Sequence, residues 1–171
     1  MKFKIIKYGS IKSTNDKAID FIKSGKITPS IILAKKQTSG KGRYGKKWTS
    51  LKGNIFLTFF FQIESKKKIS TLLKKNVKLL QQILSKYVNR NIKIKYPNDL
   101  LIQKKKICGI LQETIFYRKK KFLIVGVGLN TVKSPIISGY PTTFLDKFKK
   151  KKINNSLIFN DIKRCFEKNF L

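Results

Sequence analysis

The chain contains no histidine, two cysteines, one methionine, one tryptophan and only eight aspartates and glutamates in 171 residues. Each scarcity removes a class of chemistry. Without imidazole there is no Ser-His-Asp triad and no histidine acid, base or metal ligand. Cys108 and Cys165 form no closely spaced pair, so neither a cysteine metal site nor a disulfide framework is suggested. The longest apolar stretch, around Phe56 to Phe61, is far below membrane-spanning length. The opening residues, Met1-Lys2-Phe3-Lys4-Ile5-Ile6-Lys7, alternate charge with apolar side chains and offer no signal-peptide core. A cytoplasmic protein with no membrane partner is expected. A hydrophobic content of 41% is enough for one domain with a real core, and no second domain is expected.

Positive charge, by contrast, is abundant. Forty Lys and Arg against eight acids leave a net charge of +32. Such an excess ordinarily points to nucleic acid. Here it is mostly lysine, spread over every segment, and accompanied by much Ile, Asn and Phe. All four residue types have A/T-rich codons, so genomic bias explains the charge as well as a polyanionic partner does. A basic nucleic-acid-binding protein therefore stands as one alternative.

Residues 2–8 predict a first strand. Ser13-Thr14-Asn15-Asp16 reads as a capping segment with an acid in the first turn, followed by Ala18, Ile19 and Ile22 on one helical face and Gly25 as a stop. Strands over 30–35 and 54–62 bracket a glycine-rich loop. Leu72, Leu73, Val77, Leu80, Leu84 and Tyr87 recur at spacings of three and four and predict a helix over about 67–88. Short strands follow at 92–95, 100–103, 106–116 and 121–128, with Lys/Arg-rich turns between the last three. Asn160 is placed to cap a last helix carrying Ile162, Cys165, Phe166 and Phe170. The pattern is α+β: a mixed sheet backed by a few helices.

The loop QTSGKGRYGKKWTS, residues 37–50, nearly fits two phosphate-binding templates. Gly40-x-Gly42-x-x-Gly45 satisfies the dinucleotide fingerprint, with Glu64 at about the spacing of a ribose-binding acid. That fingerprint needs a helix starting at the loop, whereas here the chain runs on into a predicted strand. Gly40 to Lys46 also resembles a P-loop, but Lys47 stands where a Mg-binding Ser or Thr belongs. The loop is therefore a strand-loop-strand anion site of another kind, or a solvated basic connection.

Among the acids, Asp16, Asp20, Asp161 and Glu167 lie in or beside predicted helices, where solvation or the helix dipole explains them. Asp99 is different, because it closes Lys95-Tyr96-Pro97-Asn98-Asp99 between two strands, although Pro-Asn-Asp is also an ordinary turn sequence. Strand alternation puts Gln112 and Glu113 on opposite faces, and a buried Glu113 would need a cationic partner.

Four ordered segments then coincide with one family. STN (13–15), QTSGKGRYGKKW (37–48), KYPNDLLIQKKKICGILQE (95–113) and VGVGLN (125–130) resemble the catalytic domain of biotin-protein ligases over nearly the whole chain. The resemblance implies the class II synthetase-like biotin/lipoate ligase fold. It also implies ATP-dependent formation of biotinyl-5′-AMP, with Mg²⁺ accompanying ATP, and transfer of biotin to one lysine of a biotin carboxyl carrier protein. No specific DNA binding and no dedicated metal site are implied. Carried over position by position, Ser13, Thr14, Asn15, Gln37, Gly40, Lys41, Gly42, Arg43, Lys106 and Gly109 should contact biotin or the adenylate, and Trp48, Asn98 and Asn130 the nucleotide. Arg43 and Lys106 would stabilise charge at the α-phosphate, while Asp99 would orient or deprotonate the incoming lysine. The loop at 37–48 would close over the acyl phosphate and exclude water. Lys41 replaces the family's arginine, exchanging a bidentate fork for a point charge, and Tyr96 replaces a tryptophan. Against longer relatives, the chain is expected to be the catalytic domain alone, lacking the helix-turn-helix segment and the small C-terminal β-domain. Lipoate ligases and octanoyltransferases share the fold and supply a nearer alternative, although they lack this type of glycine loop.

Overall fold

A computed structural model describes residues 2–170. Seven strands form one sheet in the order β1-β2-β3-β7-β6-β5-β4, where β1 is Lys4–Tyr8, β2 Ser30–Ala34, β3 Ile55–Ile63, β4 Ile92–Lys95, β5 Asp99–Ile102, β6 Lys105–Tyr117 and β7 Lys120–Leu129. β1 pairs in parallel with β2, and every other neighbour is antiparallel, so the sheet is mixed as expected. Three helices cover it: α1 (Thr14–Lys23), α2 (Ile69–Leu84) and α3 (Asn155–Phe170).

The placement of β3 follows from its sequence. In Ile55-Phe56-Leu57-Thr58-Phe59-Phe60-Phe61-Gln62-Ile63 every residue but Gln62 is buried, so neither face can be left to water. Alternation divides the side chains between two layers. Phe60, with Ile32, Phe122 and Ile124, packs against Ala18 and Ile22 of α1. Phe59 and Phe61 face the larger core, which includes Leu80 of α2 and Ile162 and Phe166 of α3. The rings of Phe59 and Phe166 stack with centroids 4.1 Å apart.

Helix ends are set by capping chemistry. Ser13 caps α1 through its hydroxyl, which accepts from the Asp16 N–H at 3.2 Å, and Gly25 leaves the helix at φ +82°. Two boundaries correct the sequence expectation. α3 begins six residues earlier than Asn160 would place it, because the Asn154 side chain accepts from the N–H groups of Ser156 and Leu157. α2 stops at Leu84, and the chain tightens into i→i+3 bonds at Lys86 and Tyr87 before Val88 bridges to Lys149. The two hairpin turns flanking β6, Gln103-Lys104 and Arg118-Lys119, hold positive φ values without glycine or asparagine. Two-residue hairpins with the sheet's own twist require that backbone hand whatever residues occupy them.

Cys108 lies wholly inside the core, where burial pushes its thiol up to about 12. A group so rarely ionised is inert as a nucleophile. Among the described residues no helix is long and apolar enough to cross a membrane.

Candidate active site

Three glycines on adjacent strands decide where the cavity opens. Gly109 of β6 lies directly opposite Gly128 of β7, and Gly126 is two residues further along the same face. That face is covered by α1 over Phe122 and Ile124, and the helix N-terminus brings Asn15 over Gly126. The missing side chains leave room for others. The indole of Trp48 lies against the strands so closely that a Cβ at Gly109 would stand 2.7 Å from its Cζ3, and one at Gly128 would fall among Cε2 and Cζ2. A Cβ at Gly126 would overlap the Asn15 side chain. The result is a cavity of about 640 Å³ between the α1 N-terminus, the glycine loop and the segment 135–142.

Its floor is polar and tightly bonded. Gln37 Oε1 accepts from the Thr14 backbone N–H at 2.8 Å and from the Thr14 hydroxyl at 3.0 Å. The Thr58 hydroxyl lies 2.8 Å from the Thr14 hydroxyl and 2.7 Å from Asn15 Oδ1, and Asn15 donates to Glu113 at 2.6 Å. Glu113 thus has a neutral amide as its partner, and the cation that a buried glutamate would need is not required. Glu113 is only half-buried, so the desolvation that would demand a counter-charge is incomplete.

The neck is cationic. Among the described lining residues Asp99 is the one acid, set against Lys41, Arg43, Lys46, Lys47 and Lys106. Asp99 begins β5 opposite Gly109 and is 7% exposed. Lys106 Nζ stands 2.9 Å from Asp99 Oδ1, a charge contact without hydrogen-bond alignment, and lies 5.3 Å from the centroid of Trp48. Tyr140 donates its hydroxyl to Asp99 Oδ2, and burial followed by this bond pushes the phenol upward.

The glycine loop folds as a small hairpin. Lys41 bridges to Lys47, Gly42 N–H donates to Lys46 C=O at 2.6 Å, and Tyr44 and Gly45 take left-handed φ values of 55° and 72°. Apart from a single 3-10 turn at Arg43–Gly45, no helix starts at the loop. It leads to β3, as the mismatch with the dinucleotide fingerprint implied. Two side chains tie the hairpin down: Lys41 Nζ donates to Asp16 at 2.6 Å, which raises the lysine pKa, and Arg43 donates to Asn98 at 3.3 Å. The Lys41 pair is exposed and contributes little to stability by itself.

Of the residues singled out from the sequence, Ser13, Thr14, Asn15, Gln37, Lys41, Gly42, Arg43, Trp48, Asn98, Asp99, Lys106, Gly109 and Asn130 all line this one cavity. Gly40 does not. A Cβ there would meet the Trp48 carbonyl at 2.6 Å, so its part is to let the two arms of the hairpin close. Asn130 reaches the wall while its amide donates to Thr143 C=O at 3.2 Å, making it a clip as well as a lining residue. Four contributors escaped the sequence reading. Gly126 and Gly128 carried a usable signal, since glycines two apart on a strand leave one face bare for a close neighbour. Thr58 sits within an otherwise apolar strand, and its single hydroxyl was the clue. Tyr140 lies in an irregular stretch whose sequence has no periodicity to place it.

The chain as a whole is similar to known proteins. Over 176 aligned residues the chain is 28% identical to the bifunctional ligase/repressor BirA of Bacillus subtilis, covering 97% of this chain and 53% of that protein. With the Escherichia coli protein of the same name it shares 32% over 126 residues, covering 70% and 38% respectively. The chain thus spans about half the length, or less, of these curated relatives. In three dimensions it superimposes on the biotin protein ligase from Aquifex aeolicus in complex with biotin and ATP, with a TM-score of 0.81 at 24% identity, over 97% of this chain and 69% of that one. A model of the biotin/lipoate A/B protein ligase family matches residues 8–130, which hold the capped start of α1, the glycine loop, Asp99, Lys106 and the paired glycines. The chain belongs to the biotin/lipoate A/B protein ligase family.

Proposed function

We propose that this chain is an ATP-dependent biotin-protein ligase that makes biotinyl-5′-AMP and passes the biotinyl group to a lysine of a biotin carboxyl carrier protein in the cytoplasm. The observation that carries the reading is the polarity gradient of the cavity. Its floor presents Gln37, Thr14 and Asn15, the last two held from behind by the buried Thr58 hydroxyl, an array of donors and acceptors suited to a cyclic urea and poorly suited to the apolar ring of a lipoyl group. Its neck presents Lys106, Arg43 and Lys41, which suit a carboxylate beside a phosphate. Between them lies Trp48, whose buried indole N–H has no partner among the described residues and is free for a ligand acceptor.

In the first step a biotin carboxylate oxygen attacks the α-phosphorus, the bond to pyrophosphate breaks, and Lys106 and Arg43 stabilise the charge that gathers there. In the second, the acceptor amine forms a C–N bond to the acyl carbon, AMP leaves with the electron pair of the C–O bond, and the surplus amine proton passes to Asp99. Mg²⁺ enters this scheme bound to the phosphates of ATP. Among the described residues no three acidic or sulfur ligands converge to hold it separately. The hairpin of residues 40–48 shields the mixed anhydride from water.

The test is incubation with labelled ATP, Mg²⁺ and either biotin or lipoate. Biotin should give the acyl adenylate and lipoate should not. Equal turnover of the two acids, or none with either at saturating ATP, would remove the proposal.

Charge makes a second expectation. Carriers of biotin in this family are usually acidic, so a +32 protein should meet its carrier faster at low salt. Transfer should therefore slow as ionic strength rises, whereas adenylate formation within the cavity changes less. Identical salt responses of the two half-reactions would assign the surface charge to composition alone.

A further inference from the structure

The Asp99 carboxylate is held by two protein groups of different kinds, one charged and one neutral. Lys106 faces Oδ1 at 2.9 Å and Tyr140 donates to Oδ2. Tyr140 does not reach this position by chance of surface packing. Lys106 N–H donates to Pro141 C=O and Thr143 N–H donates to Lys106 C=O, each at 2.9 Å, so residues 141–143 run beside β6 as a short parallel extension. Backbone bonds thus fix Tyr140 to the residue whose side chain shares the same carboxylate. Two ammonium groups also lie over the Tyr140 ring, Lys95 Nζ 4.8 Å and Lys106 Nζ 5.4 Å from its centroid.

The chemistry of the two donors differs in one respect that matters. Lys106 is a cation, and a second cation on Oδ2 would neutralise the carboxylate as a proton acceptor. A phenol holds Oδ2 in place without adding charge, and its ordinary deprotonation is suppressed by burial and by Asp99 itself. A carboxylate oxygen has two lone-pair directions, so the tyrosine bond leaves one free for an incoming amine.

We propose that Tyr140 is a positioning residue for acyl transfer, aligning Asp99 Oδ2 to take the proton of the attacking lysine amine. This deepens the ligase reading and rests on it. Tyr140 acts through Asp99 and need not touch the reacting atoms. Its hydroxyl, and not its ring, carries the effect. The acceptor lysine is an ammonium near pH 7 and must lose a proton before it can attack, whereas a nucleophile that is already neutral and strongly reactive can give its surplus proton to water after attack and should feel the role little.

The experiment uses the full chain preloaded with biotinyl-adenylate, and compares single-turnover transfer to the carrier lysine with transfer to hydroxylamine. In Tyr140→Phe the ratio of lysine to hydroxylamine rates should fall about tenfold, the scale of one lost hydrogen bond to a charged group. In an Asp99→Asn background the same substitution should change the ratio by less than about twofold, because the group through which it acts has gone. An unchanged ratio in Tyr140→Phe, or an equal fall with and without Asp99, would overturn the proposal. Thermal unfolding of each variant checks that the fold survives, and if Tyr140→Phe does not fold, Tyr140→Leu supplies a side chain without a donor for the same ratio. Failure of the wild type to form an adenylate with biotin would be a different result, overturning the ligase reading itself.

Discussion

Lys106→Ala should slow adenylate formation about a hundredfold, equivalent to about 3 kcal/mol of lost transition-state stabilisation. Lys106 has a side chain only 17% exposed and stands in the neck beside the one acid among the described lining residues. Removing it withdraws a cation where negative charge accumulates and also strands the Asp99 carboxylate with Tyr140 as its sole side-chain partner. Breaking a buried pair from one side destabilises a fold by several kcal/mol, so lost activity alone would be ambiguous. The double variant Asp99→Asn, Lys106→Ala separates the two effects. It should regain most of the unfolding free energy and none of the adenylation rate. Near-normal adenylation by Lys106→Ala would move the role to Arg43 or Lys41.

Gly128→Ala should displace the indole of Trp48 and weaken biotin and adenylate binding at least tenfold. The added methyl would occupy space now filled by Cε2 and Cζ2 of the ring, and the sheet backbone at β7 cannot retreat because β3 and β6 pair with it on both sides. Trp48 must give way. It is the only tryptophan in the chain, so its emission reports this directly. A red shift in the variant, with the unfolding transition still cooperative, is the expected outcome. Unshifted emission and unchanged affinity would show that Trp48 is no part of the binding surface.

The elements were readable because each had a local cause. Helix α1 follows from Ser13 and the period of Ala18 and Ile22, and β3 from an unbroken apolar run that only a doubly covered strand can accommodate. The errors at α2 and α3 arose where capping competes with periodicity. Tyr87 continues the helical spacing, yet the chain turns there and its hydroxyl bonds Asp161 of α3. Asn154 outcompetes Asn160 because its side chain actually meets free N–H groups. In the cavity, residues within motifs were found through the family resemblance, whereas Tyr140 and Thr58 were not. Their roles exist only after distant strands have met, and a side chain's partner across a sheet leaves no trace in its own neighbourhood.

Every wall of the cavity comes from a different part of the chain, and β3 pairs with β7 only after α2, β4, β5 and β6 have intervened in sequence. Such pairing closes long loops before contacts can repay them, which places the domain among slow folders of high contact order. The cavity therefore has no existence in partly folded forms. A ligand that occupies it binds the complete fold and nothing less, so at a hundred times its dissociation constant it adds about 2.7 kcal/mol to the stability of the whole domain. For this chain, the supply of its own substrate is also a factor in how long the folded protein persists.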